Sequence, residues 1–475
     1  MHAGLILLIL VAYFSLLLLI SYKVSRKSSD NDAFFLGNRK SPWWIVSIGM
    51  IGSSISGVSF VSVPGMVGSI NFSYLQTVLG FFVGYIVIAQ VLLPLYYRFQ
   101  LTSIYTYLEH RFGIGAYKTG ALFFLTSKTI GAAARLYVVA AILQFTVFDT
   151  WNIPFWMTVL SILLLVWLYT FKSGIKTIIW TDTLQATIMI SALVILAIQL
   201  FRLIELPNLI SVIWNSSYSQ VFVFDDWMSK QHFVKQFFSG IFIAIVMTGL
   251  DQDMMQKNLT CRTLKDAQKN MMWYGAAFIP VNLIFLLVGL MLILLSQQLQ
   301  VPLPQNPDQI ITVFASNHLG TVVYVLFVVG IIAAAFSSAD SALAALTTSF
   351  SVDIMNANKK TEAHALKIRK YTHISLTLLF VVIIILFDLL NNKSVIDAIY
   401  VIASYTYGPL LGMFAFGLFT KWSVRDKLIP LIAVLSPLAC YGIGLLTNRF
   451  FGYALGYELL MLNGLLSFMG LYLIR

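Results

Sequence analysis

The chain is poor in charge, cysteine and histidine. Of its 475 residues only 10% are Asp, Glu, Lys or Arg, and its two cysteines, Cys261 and Cys440, stand far apart. That spacing supports neither a disulfide framework nor a cysteine metal site. The histidines, His2, His110, His232, His318, His364 and His373, are scattered, and no Gly-rich phosphate loop of the P-loop kind occurs. Neither an enzyme nor an ATP-driven pump is expected, and no cofactor is implied. What is abundant is apolar: 59% of residues are hydrophobic and the mean hydropathy is +0.86. Such a composition belongs to an integral membrane protein. A net charge of +11 would suggest nucleic acid in a soluble chain, but here Lys and Arg fall between apolar runs, where they report topology. No nucleic acid and no obligatory protein partner are expected.

A helix that crosses a bilayer takes about 20 apolar residues. The apolar runs predict an all-α membrane protein of about 13 transmembrane helices, at 3-22, 43-68, 74-97, 119-147, 152-171, 177-201, 235-256, 271-296, 319-353, 369-389, 394-420, 427-447 and 455-474. The first run lacks a cationic start and a small-residue cleavage pattern, so it reads as a retained span. Alternate loops are basic: Lys23, Arg26, Lys27, Arg39 and Lys40; Arg98, Arg111 and Lys118; Lys257, Arg262, Lys265 and Lys269; Lys359, Lys360, Lys367, Arg369 and Lys370. The positive-inside rule then puts the N-terminus outside and, after an odd number of crossings, the C-terminus in the cytoplasm. The long loop from Arg202 to Val234 lies outside and has room for a short interfacial helix.

Two spans are unusual for lipid. The second carries Gly49, Gly52, Ser53, Ser54, Ser56, Gly57, Ser59, Ser62, Pro64 and Gly65; the seventh carries Gly240, Thr248, Gly249, Asp251 and Gln252. Both read as interruptible, and five spans separate their starts, so two five-helix halves would run in opposite orientation. This predicts a LeuT-like inverted repeat with a broken first helix in each half and a binding site between them at the midplane. The single membrane domain, 1-475, then divides into an extra helix and loop at 1-42, a first repeat at 43-201, a second at 235-420 and two extra helices at 421-475.

Within the ninth span, Ala334, Ser337, Ser338 and Ser341 recur at three- and four-residue spacing and share one helical face. A hard cation prefers oxygen ligands, and unwound backbone supplies carbonyls where it lines a cavity; the bland alternative is close packing by small residues. That alternative is preferred for Ser53 and Ser62. Asp182 and Arg135 lie inside spans, where an ionisable side chain needs a partner, water or a function. Arg135 suits either a solute carboxylate or an ion pair with Asp340 or Asp251. Lys128 is placed to snorkel toward the cytoplasm. Candidate solute contacts at the midplane are Ser54, Ser56, Ser59, Gln76, Thr77, Arg135 and Gln252, with Tyr405 or Tyr407 behind them.

Several stretches resemble the sodium:solute symporter family. They are Ser173-Gly174 through Trp180-Thr181-Asp182-Thr183-Leu184-Gln185, with Ser173 in place of a Gly, and Gly249-Leu250-Asp251-Gln252 through Gln256-Lys257-Asn258-Leu259 with Ala267 following. Pro42-Trp43-Trp44 and the Ser-rich stripe leading to Asp353 also fit. The resemblance implies sodium-driven uptake of a small organic solute by alternating access, across a cell membrane such as a bacterial inner membrane. It also implies a sodium site made by the carbonyls of Gly52, Ile55 and Ala334 and the hydroxyls of Ser337 and Ser338. A second cation site would use Asp182, Asp340 and Ser341, although Asp340 replaces a hydroxyl residue there and Asp182 alternatively structures an internal gate. Galactose-carrying relatives have acidic and amide side chains at the helix break and a Glu where Val78 stands. Hydroxyls stand at the break here, which disfavours hexose by those contacts, and Arg135 favours an organic anion such as sialic acid or an amino acid. A neutral-solute symporter and a transporter-like solute sensor are the rival readings.

Overall fold

The computed structural model describes residues 2–25, 31–171, 174–390, 395–453 and 455–475. Arg26, Lys27 and Ser173, used above for topology and motif, lie outside them. Among the described residues the regular structure is all helical. Nine helices are long and apolar enough to cross a membrane, or up to eleven when each of two bent pairs is taken as one span. Phe155–Thr170 and Leu459–Leu473 are shorter apolar helices. Several helices extend past their apolar windows: Ile114–Thr146, Leu264–Leu299 and Glu362–Leu390 each begin well before the predicted limit. Hydropathy marks the part of a helix that lipid demands, whereas the backbone ladder continues into polar sequence.

The bent pairs fall where small and polar residues interrupt the apolar pattern. Trp43–Ser54 and Gly57–Gly65 meet at 61°, and Phe233–Gly249 and Gln252–Asn258 at 70°. Ile55 is extended (φ −87°, ψ 93°), and Ser56 restarts the chain by accepting the Ser59 N–H at 3.4 Å. In the second pair Asp251 plays this part, accepting the N–H groups of Asp253 (2.9 Å) and Met254 (3.3 Å). These side chains satisfy amides that a helix start leaves without partners.

Two glycines explain close approaches near the first break. A Cβ on Gly52 would stand 2.8 Å from the Ala186 Cβ, so only glycine lets Trp43–Ser54 lie against Ile175–Leu203 this closely. Gly174, at φ 46°, starts that second helix in a conformation that L side chains rarely adopt, with Phe34 filling the space a Cβ would need. The Thr321–Ser349 helix, which carries the serine stripe, is the most enclosed of the candidate spans. It runs into a π-helical turn at Phe350–Ile354, where the buried Asp353 accepts hydroxyls from Ser103 (2.8 Å), Tyr117 (2.9 Å) and Ser349 (2.6 Å).

Candidate functional site

A cavity opens beside the first helix break. Its polar wall includes Ser53, Ser54 and Ser59 from the broken span, Lys128 and Arg135 from Ile114–Thr146, and Thr248 and Asp251 from the second bent pair. Tyr74, Phe81, Tyr85, Tyr274, Phe278 and Asn282 add an aromatic and amide side. The Ser54 hydroxyl meets the Tyr274 hydroxyl at 2.7 Å, and Tyr274 meets Tyr85 at 3.0 Å, so the break is wired to two neighbouring helices. Lys128 is ion-paired with Asp251 (3.2 Å) and Asp253 (2.8 Å), and Asp251 also accepts the Tyr407 hydroxyl at 2.6 Å. Lys128 therefore does not snorkel: two intramembrane carboxylates hold it inward. No described carboxylate is ion-paired with Arg135. The pairing with Asp340 or Asp251 is not formed, because Tyr169 and the Ser341 N–H occupy Asp340 while Lys128 and Tyr407 occupy Asp251.

Immediately behind the cavity wall lies a cluster of oxygens. The break at Ile55 and Ser56 removes the helical N–H donors that the last carbonyls of Trp43–Ser54 would otherwise meet. The Ser338 hydroxyl faces the Ser53 carbonyl at 3.3 Å and the Ala334 carbonyl at 3.2 Å. Ser337 donates to Asp182 at 2.8 Å and lies 3.2 Å from the Ser53 hydroxyl. Of the five residues expected at the first sodium site, Ala334, Ser337 and Ser338 share one helix, while Gly52 lies near the end of Trp43–Ser54 and Ile55 just past it; the carbonyl of that segment that meets Ser338 is that of Ser53. Exposed carbonyls beside hydroxyls are the donor set a sodium ion takes.

The residues expected at a second cation site are also brought together. Ser341 donates its hydroxyl to Asp182 at 3.2 Å, and its N–H to Asp340 at 2.6 Å; Asp340 further accepts the Tyr169 hydroxyl at 2.8 Å. At the centre stands a group assigned above to a basic loop: Lys257, 1% exposed, is ion-paired with Asp182 at 2.7 Å and donates to the Ser53 hydroxyl. Lys257 therefore does not count toward positive-inside topology. A local signal did exist, since Asp253 one turn earlier marks an intramembrane charge with a partner at i,i+4. Ser53, expected to serve packing, instead joins Asp182, Ser337 and Lys257. Ser62, also expected to serve packing, hydrogen-bonds Asp308 at 2.6 Å.

Four expected solute contacts point elsewhere. Gln76 donates to the Ser73 and Gln231 carbonyls and accepts the Val223 N–H, pinning the loop before Phe233. Thr77 donates to Gln236. Gln252 spans the Ile104 N–H and the Thr102 carbonyl, both at 2.9 Å. Ser56 caps its own helix. In each case a backbone or amide partner takes the polar group away from the cavity, so Ser54, Ser59 and Arg135 remain on its wall. Tyr407 lines it and Tyr405 does not.

Sequence and structure comparisons match this architecture. The profile of the sodium:solute symporter family matches residues 34–425. The chain is 23% identical to the sodium/sialic acid symporter NanT of Aliivibrio fischeri, over 96% of this chain and 92% of that protein. It is also 23% identical to the sodium/sialic acid symporter SiaT of Proteus mirabilis, over 97% of this chain and 94% of that protein. A solved sodium-coupled sialic acid symporter, substrate-bound and outward-open, superposes with a TM-score of 0.84 at 19% identity, covering 98% of this chain and 97% of that one. With the match running through both bent pairs and the serine stripe, the chain belongs to the sodium:solute symporter family.

Proposed function

We propose that the protein imports a carboxylate-bearing organic solute, of the sialic acid or amino acid kind, by sodium-coupled alternating access. The observation that carries this reading is the position of Ser53: it lines the same cavity as Arg135, while its backbone carbonyl meets Ser338 at 3.3 Å. Solute and sodium would therefore share one structural element, the break in the first bent span. Sodium held by the carbonyls of Gly52, Ile55 and Ala334 and the hydroxyls of Ser337 and Ser338 would stiffen that break and complete the solute site. By linkage, solute would raise sodium affinity by the same factor. The Arg135 guanidinium, which is ion-paired with no described carboxylate, supplies the bidentate donor that a solute carboxylate fits. The relatives named as sialic acid symporters support that solute class.

Around this site the two bent pairs would be first helices of inverted repeats at 43-201 and 235-420, with the two shorter apolar helices completing thirteen crossings. The N-terminus would lie outside and the C-terminus in the cytoplasm of a bacterial inner membrane. Their similar bends, 61° and 70°, support the repeat. The test is uptake into liposomes containing the purified protein, with labelled N-acetylneuraminate, a monocarboxylate, an α-amino acid and a hexose. Each is measured under an inward sodium gradient, an inward proton gradient, and neither. Sodium-dependent accumulation of an anion is the expected result; accumulation indifferent to sodium, or no uptake of any anionic solute, overturns the reading.

A further inference from the structure

We propose that Lys257 is a tethered cation that fills the Asp182 cluster, so that this protein moves one dissociable sodium per cycle rather than two. The proposal rests on the sodium-coupled reading above and concerns its ion count.

The cation already seated on Asp182 decides the matter. An ionised carboxylate offers about four lone-pair positions. Oδ1 accepts the Ser337 hydroxyl at 2.8 Å. Oδ2 accepts the Ser53 hydroxyl at 2.9 Å and the Ser341 hydroxyl at 3.2 Å, and meets the Lys257 ammonium at 2.7 Å. Oδ2 is therefore saturated by three donors, one of them already a cation, in a place where Asp182 is 0% and Lys257 1% exposed. A second sodium there must displace the ammonium or share one carboxylate with it, and two like charges at that separation repel strongly where water is excluded.

Lys257 cannot leave as sodium does. It lies on Gln252–Asn258, the second limb of the second bent pair, and its ammonium reaches Ser53 at the end of the first limb of the other pair. The charge therefore stays with the protein and ties the two bent spans together. The neighbouring oxygens at the break are untouched by it: Ser338 faces the Ser53 and Ala334 carbonyls. One cluster thus carries its own cation while the other keeps the donor set for a dissociable one. Ser53, through its hydroxyl and its carbonyl, and Ser337, whose hydroxyl donates to Asp182, belong to both, so seating the ammonium and seating sodium are mechanically linked.

The experiment counts radioactive sodium bound per chain on the purified wild-type protein and on Lys257→Met and Lys257→Arg. Unfolding midpoints are measured alongside in sodium chloride and in choline chloride at equal ionic strength. The expected result is one sodium per wild-type chain, one for Lys257→Arg, and two for Lys257→Met, whose loss of stability in choline is recovered in sodium. Two sodium ions on the wild type overturn the proposal, as does a folded Lys257→Met that binds one. Should Lys257→Met fail to fold in both salts, the double variant Asp182→Asn with Lys257→Met removes both charges and must return to one sodium; two on that protein also overturn the proposal. A wild type that binds no sodium at all overturns the sodium-coupled reading itself, a result distinct from a wrong count.

Discussion

Lys128 and Arg135 stand two turns apart on one helix and line the same cavity, yet Lys128 is ion-paired with Asp251 and Asp253 while no described carboxylate is ion-paired with Arg135. One cation is committed to holding the second bent span; the other is left to the cavity. A guanidinium placed inside a membrane protein in this way carries a desolvation cost that an anionic ligand offsets.

Replacing Arg135 by Gln is expected to weaken an anionic solute about tenfold or more, in line with the roughly 1.5–3 kcal/mol of a hydrogen bond to a charged group. Arg135→Lys should recover only part, because an ammonium lacks the planar fork. Solute half-saturation in liposome uptake, together with a sodium titration, checks this: unchanged solute affinity in Arg135→Gln removes the residue from the site.

Ser338→Ala takes away a hydroxyl lying between two carbonyls, 3.3 Å from Ser53 and 3.2 Å from Ala334. Half-saturation by sodium should rise about tenfold, while the unfolding midpoint measured without sodium stays close to wild type. Equal loss of folded protein in both conditions would mean that the hydroxyl serves packing alone.

At the helix contact, Gly52→Ala puts a Cβ 2.8 Å from that of Ala186, closer than real side chains approach. The two helices must separate, carrying the break away from Ser337 and Ser338, and overpacking of this kind costs about 1–3 kcal/mol. Sodium-dependent uptake should fall, and Ala186→Gly added to Gly52→Ala should restore much of it. Failure of the second change to rescue would place the defect elsewhere.

For the cavity ion pair, Asp251→Asn should destabilise the protein by about 1–3 kcal/mol, less than breaking a lone buried pair, because Asp253 stays on Lys128 at 2.8 Å. It also weakens the cap on Gln252–Asn258 and the acceptor for Tyr407. A double-mutant cycle of unfolding midpoints with Lys128→Met, which also takes the partner of Asp253, should show coupling between Asp251 and Lys128. Strict additivity would show that the Lys128 ion pair contributes nothing to stability.

Much of the architecture is local and was therefore legible in the residue order. Apolar runs long enough for lipid marked helices such as Thr321–Ser349, and the small and polar residues from Gly49 to Gly65 marked a helix that breaks at Ile55. The three- and four-residue spacing of Ala334, Ser337, Ser338 and Ser341 set them on one face, because helical periodicity is a property of the chain alone. The motifs around Asp182 and Gly249 pointed to the family that the profile match establishes.

Partnership was decided only by the tertiary structure. Lys257 follows the predicted span 235-256 and resembles a loop cation in sequence, but it lies on the second limb of the bent pair and the fold turns its ammonium onto Asp182 of a distant helix. Gln76, Thr77 and Gln252 look equally suited to a solute, yet each finds a nearer polar group that satisfies it. Burial strongly favours pairing of polar groups, and which pair forms depends on which helices meet. Hydropathy and spacing therefore determined the spans, the breaks and the serine face of this protein, while the packing of helices across the two breaks determined which charges are spent on structure and leaves Arg135 facing the cavity.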